Sequence, residues 1–325
     1  MPHLLDVRDL SICYRDGERT VQAVDRLSFT LDAGETLALV GESGSGKTTT
    51  ALGVMGLIRP PGKVLRGQAL LEGRDLLSMD NEELRRLRGR VISMIFQDPQ
   101  AGLNPVLTVG QQVAEAVEIH LRVSKKEARR LALEALAGLG LPEPALIASR
   151  YPFQLSGGMA QRVMIAIATV LRPRVIIADE PTSALDVTVQ AAILAELDRM
   201  RTELGSALLL ITHDLGVVAQ MAQRVAVMYA GRIVETGAAR DIFRAPRHPY
   251  TWSLLSTLPR LDRSVDRLPQ IRGQPPDLSA LSGHCAFLPR CPKAVNECRS
   301  APWPGLSPVG DGREVACYNP VLPVA

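Results

Sequence analysis

The sequence predicts an α/β fold built on a mainly parallel sheet, and three observations carry that expectation. Short apolar runs alternate with helical stretches along most of the 325 residues, the pattern left by successive βαβ units. One of those runs passes through a glycine-rich loop straight into a helix. A block from about 98 to 157 has helical periodicity and no convincing strand, so it reads as a helical insertion.

The strand candidates are "TLALV" at 36–40, "VISMIF" at 91–96, "RVIIAD" at 174–179, "ALLLIT" at 207–212 and "RVAVMY" at 224–229. Each is short, apolar and rich in β-branched residues, as strands covered on both faces are. Helical periodicity is clearest at 112–121, 125–138, 159–171 and 187–204. Near residue 259 the composition changes, and 11 of the 23 prolines fall in the last 67 residues. Proline at that density disfavours regular helices and predicts a loop-rich appendage. The expected division is therefore a large domain over 1–258, with the helical subdomain at about 98–157, and a C-terminal extension over 259–325. An extension that small has little core of its own and needs a staple.

Composition removes several functional classes. Hydrophobic residues make up 46% and charged residues 22% of the chain, an ordinary globular profile. A formal charge of +3 is too small to predict a nucleic-acid surface. No apolar run approaches the 18 or so residues of a membrane-spanning helix, and the start "MPHLLDVRDL" lacks the pattern of a signal peptide. The expectation is a protein of the reducing cytosol, where stable disulfides are rare, whose membrane role comes from docking onto a separate partner.

The strongest motif is "LALVGESGSGKTTTALGVMGL", in which Gly41 to Thr48 read G-x-x-x-x-G-K-[ST] between an apolar strand and a helix. Gly41, Gly44 and Gly46 let backbone N–H groups curl around phosphates at a helix N-terminus, where the dipole also favours anions. Ser43, Ser45 and Thr49 line the same turn. Lys47 supplies a point charge for the β- and γ-phosphates, and Thr48 a hydroxyl for Mg²⁺. Downstream, "RVIIADE" is an apolar strand ending in Asp179 and Glu180. Asp179 suits Mg²⁺ positioning and Glu180 suits polarising the attacking water. One carboxylate could not do both, because the metal withdraws the basicity that the water needs. Loop and carboxylates together point to nucleotide hydrolysis.

Between them lies "LSGGMAQR" at 155–162, where Ser156 is a plausible N-cap and Gly157 and Gly158 strip side chains from the first helical turn. With this motif the chain resembles the nucleotide-binding subunits of ABC transporters over about residues 4 to 258. The resemblance implies a P-loop NTPase (RecA-like) ABC ATPase core with an antiparallel β subdomain and a helical subdomain, plus the small loop-rich C-terminal appendage. It also implies further roles. Ser156, Gly157 and Gly158 receive the γ-phosphate held by a second ATPase chain. Gln97 in "FQDP" is similar to the Q-loop glutamine, which senses Mg²⁺. Asp186 in "SALD" is similar to the D-loop aspartate that lies against the partner, His213 in "LLLITHD" to the switch histidine, and Tyr14 in "ICYRDG" to the aromatic that stacks on adenine. One departure is Ala160, where related sequences often carry arginine; with Ser156 and Gly158 intact, hydrolysis is expected to survive.

Because the signature acts in trans, the resemblance implies two ATPase chains facing head to tail on two ATP molecules, the second being a paralogue in a heterodimer. It further implies two membrane permease subunits, which dock on the helical insertion, a solute-binding protein, and a peripheral location on the cytoplasmic face of the inner membrane. "QDPQAGLNPVLTVGQQV", "RAPRHPYTWSLLSTLP" and "IRGQPPDL" with the cysteine-bearing tail are similar to the oligopeptide/dipeptide and nickel importer subfamily. Peptide import is the leading expectation, with nickel or another small solute as the alternative. A non-transport ABC ATPase acting on ribosomes or DNA repair is disfavoured by the single phosphate loop and the lack of sustained heptads. No nucleic-acid partner is expected.

Four of the five cysteines, Cys285, Cys291, Cys298 and Cys317, follow the spacing C-x5-C-x6-C-x18-C. A structural zinc site usually opens with a C-x2–4-C knuckle, which is absent. Four thiolates complete the shell of a [4Fe–4S] cluster, and similar cysteines occur in the tail of some peptide-importer ATPases. The leading expectation is the cluster; Zn²⁺, with His284 as a substitute ligand, and no metal are the alternatives.

Overall fold

The computed structural model describes residues 3–17, 19–183, 186–258 and 270–322. The chain forms two compact units, one of residues 1–5, 31–36 and 70–211 and the other of 6–30, 37–69 and 212–325.

The first unit is organised on three parallel strands. Ile92–Ile95 pairs with Val175–Asp179, which pairs in turn with Ala207–Thr212. Every residue of these strands is buried, which explains their unbroken apolar sequences. The expected insertion is helical throughout, with helices Pro99–Gly102, Val109–His120, Lys125–Gly138 and Pro144–Ser149. Helix Val109–His120 opens with a capping box between Thr108 and Gln111 and buries Val109, Val113 and Val117, one stripe at i, i+4 spacing. Ser124 caps Lys125–Gly138, which buries Ala128, Ala132 and Leu136 on the same rule. Helix Val187–Leu204 ends at Gly205, whose φ of 68° is left-handed, a conformation glycine adopts without Cβ strain.

The second unit carries three long strands that the apolar-run reading did not single out, ordered Arg19–Leu31, Leu5–Asp16, Gly62–Leu71. Exposed and polar positions interrupt them, as in the burial pattern eeiiBBieBeBiB of Arg19–Leu31, so no long continuous apolar run marks them. Thr36–Val40 runs parallel to Arg224–Tyr229. Arg224–Tyr229 pairs antiparallel with Arg232–Ala238, and that strand takes the tail residues Glu314–Val315 as a further antiparallel neighbour.

The tail is loop-rich, as its prolines require, but it does not stand apart. Ala286, Phe287 and Trp303 are buried in one apolar cluster with Val40, Val227, Tyr229 and Tyr250. Phe287 meets Tyr229 edge-on at 5.3 Å and Tyr250 at 5.4 Å between ring centroids, the geometry aromatic quadrupoles favour. The tail therefore draws its core from the sheet that carries the phosphate loop.

Candidate functional site

The phosphate loop sits in the second unit, between the fully buried strand Thr36–Val40 and helix Lys47–Val54. Two glycines are forced by space. A Cβ on Gly41 would stand 2.2 Å from the Met228 carbonyl oxygen, and one on Gly46, at φ +104°, would stand 2.2 Å from the Ala23 carbonyl oxygen. Gly46 is the N-cap, with no side-chain cap hydrogen bond, at a helix start of the kind whose N–H groups and dipole favour an anion. The Ser45 hydroxyl is buried with no hydrogen-bond partner among the described residues, an orphaned donor in the loop. Lys47 Nζ donates to the carbonyls of Gly41 at 2.8 Å and Glu42 at 3.0 Å. Its ammonium is thus folded back onto its own loop. Thr48 is exposed and Thr49 half-buried.

Tyr14 and His213 belong to the same unit. Tyr14 is half-buried near the end of strand Leu5–Asp16, and a Cβ on Gly62 would press on its ring at 2.6 Å. His213 is exposed directly after strand Ala207–Thr212. Asp214 follows as the cap of helix Leu215–Met221.

Gln97, Ser156, Gly157, Gly158, Asp179, Glu180 and Asp186 lie in the first unit. Asp179 ends its strand at 1% exposure and Glu180 follows at 9%. The Glu180 backbone has φ 49°, a left-handed conformation that costs a non-glycine residue roughly 1–3 kcal/mol and clusters at functional sites. Its N–H donates to the Ile211 carbonyl at 2.8 Å, so strand pairing holds the strained residue in place. Ser156 caps helix Gly157–Thr169, its Oγ accepting from the Met159 N–H at 3.4 Å. A Cβ on Gly157 would meet nothing within 4 Å, so the start of that helix is open. Asp186 is exposed and caps helix Val187–Leu204; Ala184 and Leu185 of the same loop lie outside the described residues. Gln97 is exposed between strand Ile92–Ile95 and Asp98, whose carboxylate caps Pro99–Gly102.

Two contacts were not foreseen. Gln161, inside the signature helix, donates to the Pro181 carbonyl at 2.8 Å, tying that helix to the residue after Glu180. Glu42, inside the phosphate loop, pairs with Arg290 of the tail. They are 248 positions apart, and no local pattern marks such a pair.

Cys285, Cys291, Cys298 and Cys317 line one small cavity together with His248, and all four are free thiols. The cavity volume of about 10 Å³ has room for about one water. Burial pushes the Cys285 thiol up to about 11 and the Cys317 thiol up to about 12, and neighbouring thiols add to both. The donor chemistry of a thiolate site is assembled. However, among the described residues no group of three or more His, Cys, Asp or Glu is arranged to hold a metal ion. The expected [4Fe–4S] cluster and the zinc alternative thus lack a ligating arrangement here. His284 is not among the cavity's lining residues; its Nδ1 lies 2.8 Å from the Ala301 carbonyl.

Residues 24–183 match the family described as ABC transporter, and residues 234–298 the family described as oligopeptide/dipeptide transporter, C-terminal region. The chain is 48% identical over 318 residues to the oligopeptide transport ATP-binding protein OppD of Salmonella typhimurium, covering 98% of this chain and 94% of that protein. It is 46% identical to the dipeptide transport ATP-binding protein DppD of Escherichia coli, over 98% of this chain and 97% of that protein. Among solved structures it is similar to the dimeric structure of MJ0796, a bacterial ABC transporter cassette. The TM-score is 0.67 at 31% identity, covering 73% of this chain and 99% of that one. A post-hydrolysis state of MJ0796 with ADP and Pi matches at a TM-score of 0.67 and 30% identity, over 73% of this chain and 99% of that one.

Proposed function

The chain belongs to the ABC transporter family as an ATP-binding, ATP-hydrolysing subunit, and from that premise we propose that it energises import of oligopeptides or dipeptides. The observation that carries the substrate class is identity near one half to peptide-transport subunits along 98% of the chain, the tail included.

In this reading Lys47 leaves the Gly41 and Glu42 carbonyls for the β- and γ-phosphates, which the first-turn N–H groups also receive. Gly41, Ser43, Gly44, Ser45, Gly46 and Thr49 complete the cradle, and Tyr14 stacks on the adenine. Thr48, Gln97 and Asp179 would hold Mg²⁺, which when bound neutralises charge on the phosphates. Glu180 accepts the proton of the attacking water, and His213 contacts the γ-phosphate. Ser156, Gly157 and Gly158 serve the ATP held by a second ATPase chain, with Asp186 at the same junction. No helix among the described residues is long and apolar enough to cross a membrane. Two separate permease subunits, a paralogous second ATPase and a solute-binding protein are therefore the proposed partners, at the cytoplasmic face of the membrane. Reconstitution with those subunits should give ATP-dependent peptide uptake; uptake of nickel with none of peptides would replace the substrate class, and fractionation with ribosomes alone would remove transport.

The four tail cysteines are proposed to ligate an iron–sulfur cluster, with zinc second. What supports this is their convergence on one cavity and an all-sulfur donor set. Iron analysis and the visible absorption of anaerobically purified protein test it; colourless, metal-free and fully folded protein would end it.

A further inference from the structure

Arg290 lies between Cys285 and Cys291 in sequence, yet its guanidinium reaches the phosphate loop. Nη1 donates to Glu42 Oε2 at 2.7 Å and Nη2 to Glu42 Oε1 at 2.9 Å, a two-pronged match of planar fork to carboxylate. Two more hydrogen bonds fix its plane, from Nη1 to Tyr229 Oη at 3.2 Å and from Nε to the Arg272 carbonyl at 3.0 Å. The guanidinium also lies 5.9 Å from the ring centroids of Tyr229 and Phe287. The Arg290 side chain is 5% exposed and that of Glu42 22%, so the pair is largely shielded from solvent.

Glu42 is held at its other groups too. Its N–H donates to Tyr250 Oη at 2.9 Å, and its carbonyl accepts from Lys47 at 3.0 Å. Its carboxylate is a negative charge borne by the loop that must receive a triphosphate. Unpaired, that charge would repel the phosphates and compete for Lys47, at separations where a few ångströms of partly dry protein make the energy large. Paired, it is neutralised and tied to the tail.

We propose that Arg290 is a positioning residue of the ATP site, through which the C-terminal extension clamps Glu42 and holds the phosphate loop receptive to triphosphate. Arg290 acts on the loop carboxylate and needs no contact with ATP. This rests on residues 41–48 being the ATP site.

The test is the affinity of the full-length chain for the non-hydrolysable analogue AMP-PNP with Mg²⁺, by calorimetry. Arg290→Ala should weaken binding about tenfold, and Arg290→Lys, which keeps charge but not the fork, about threefold. Glu42→Gln in the Arg290→Ala background should restore affinity to within about twofold of Glu42→Gln alone, because no charge is left to neutralise. A purely structural arginine would not be rescued by removing that charge. Unchanged affinity in Arg290→Ala, or a double variant as weak as Arg290→Ala, overturns the clamp. If Arg290→Ala does not fold, Arg290→Lys decides, and wild-type affinity there overturns it. Lys47→Ala is the control: loss of binding leaves the loop as the ATP site and isolates the clamp, whereas retained binding overturns both.

Discussion

The phosphate loop and the cysteine-bearing tail are both short, irregular segments, yet opposite means hold them. The loop is fixed by its immediate neighbours, a buried strand before it, a helix after it, and two glycines for which any side chain would collide with backbone. Among its described residues the tail has a 3₁₀ turn, one short helix and two two-residue strands of its own. It is shaped by what it borrows, an edge of the sheet at Glu314–Val315 and an aromatic pocket for Phe287. Segments of the first kind announce themselves in sequence; those of the second kind are visible only once the fold supplies their partners.

The largest expected effect tests the local kind. Glu180→Gln keeps the size of the side chain and the strained backbone but removes the carboxylate proposed as the base. Turnover should fall about 10²- to 10⁴-fold while AMP-PNP affinity stays within twofold of wild type. Hydrolysis at the wild-type rate would dismiss Glu180 from its role, and lost binding would mean that strain at φ 49° had been released into the fold.

Next comes the borrowed kind. Phe287 is 1% exposed and packs on Tyr229, Tyr250 and, at 6.1 Å, His248. Phe287→Ala should cost about 3–5 kcal/mol, the usual loss for a buried aromatic. It should also lower the unfolding midpoint of the unit holding the phosphate loop. A tail that melts separately, with the main transition unmoved, would break the comparison by making the extension an independent domain.

The same contrast explains what could be read in advance. Strands Thr36–Val40, Ile92–Ile95, Val175–Asp179, Ala207–Thr212 and Arg224–Tyr229 were legible because burial on both faces demands unbroken apolar runs. Leu5–Asp16, Arg19–Leu31 and Gly62–Leu71 escaped because polar and charged residues interrupt their apolar positions. Ser156 as a cap was legible from the residue types around it. Gln161 reaching Pro181, and Arg290 reaching Glu42, were not, since each depends on where distant chain arrives. The four cysteines fell between: their grouping showed in spacing, while their convergence with His248 on one cavity needed the fold.

A smaller effect probes the seam between the two kinds. Tyr250→Phe removes one hydroxyl and keeps the ring, which packs on Tyr229 at 4.5 Å. The Glu42 N–H loses its acceptor, and a part-buried donor left unsatisfied costs about 1–2 kcal/mol. The melting temperature should drop by a few degrees. AMP-PNP affinity should weaken by less than in Arg290→Ala, because the loop loses a dipole and not a charge. Equal losses would shift the clamp from the carboxylate to the backbone.

The smallest expected change in stability is at Ser156. Its hydroxyl accepts one long hydrogen bond, 3.4 Å from the Met159 N–H, at an exposed helix start, so Ser156→Ala should cost only about 0.5 kcal/mol. A cap with no other duty would leave turnover in step with that small loss. A hydroxyl that also meets the γ-phosphate of the facing chain would lose turnover far out of proportion. On the proposed reading, in which the signature serves the ATP of a second chain, it would do so only above the concentration at which two chains pair. Measuring melting temperature and turnover of the variant across protein concentration therefore separates the two duties of one side chain. Turnover that tracks stability at every concentration would return Ser156 to the local class, as a cap and nothing more.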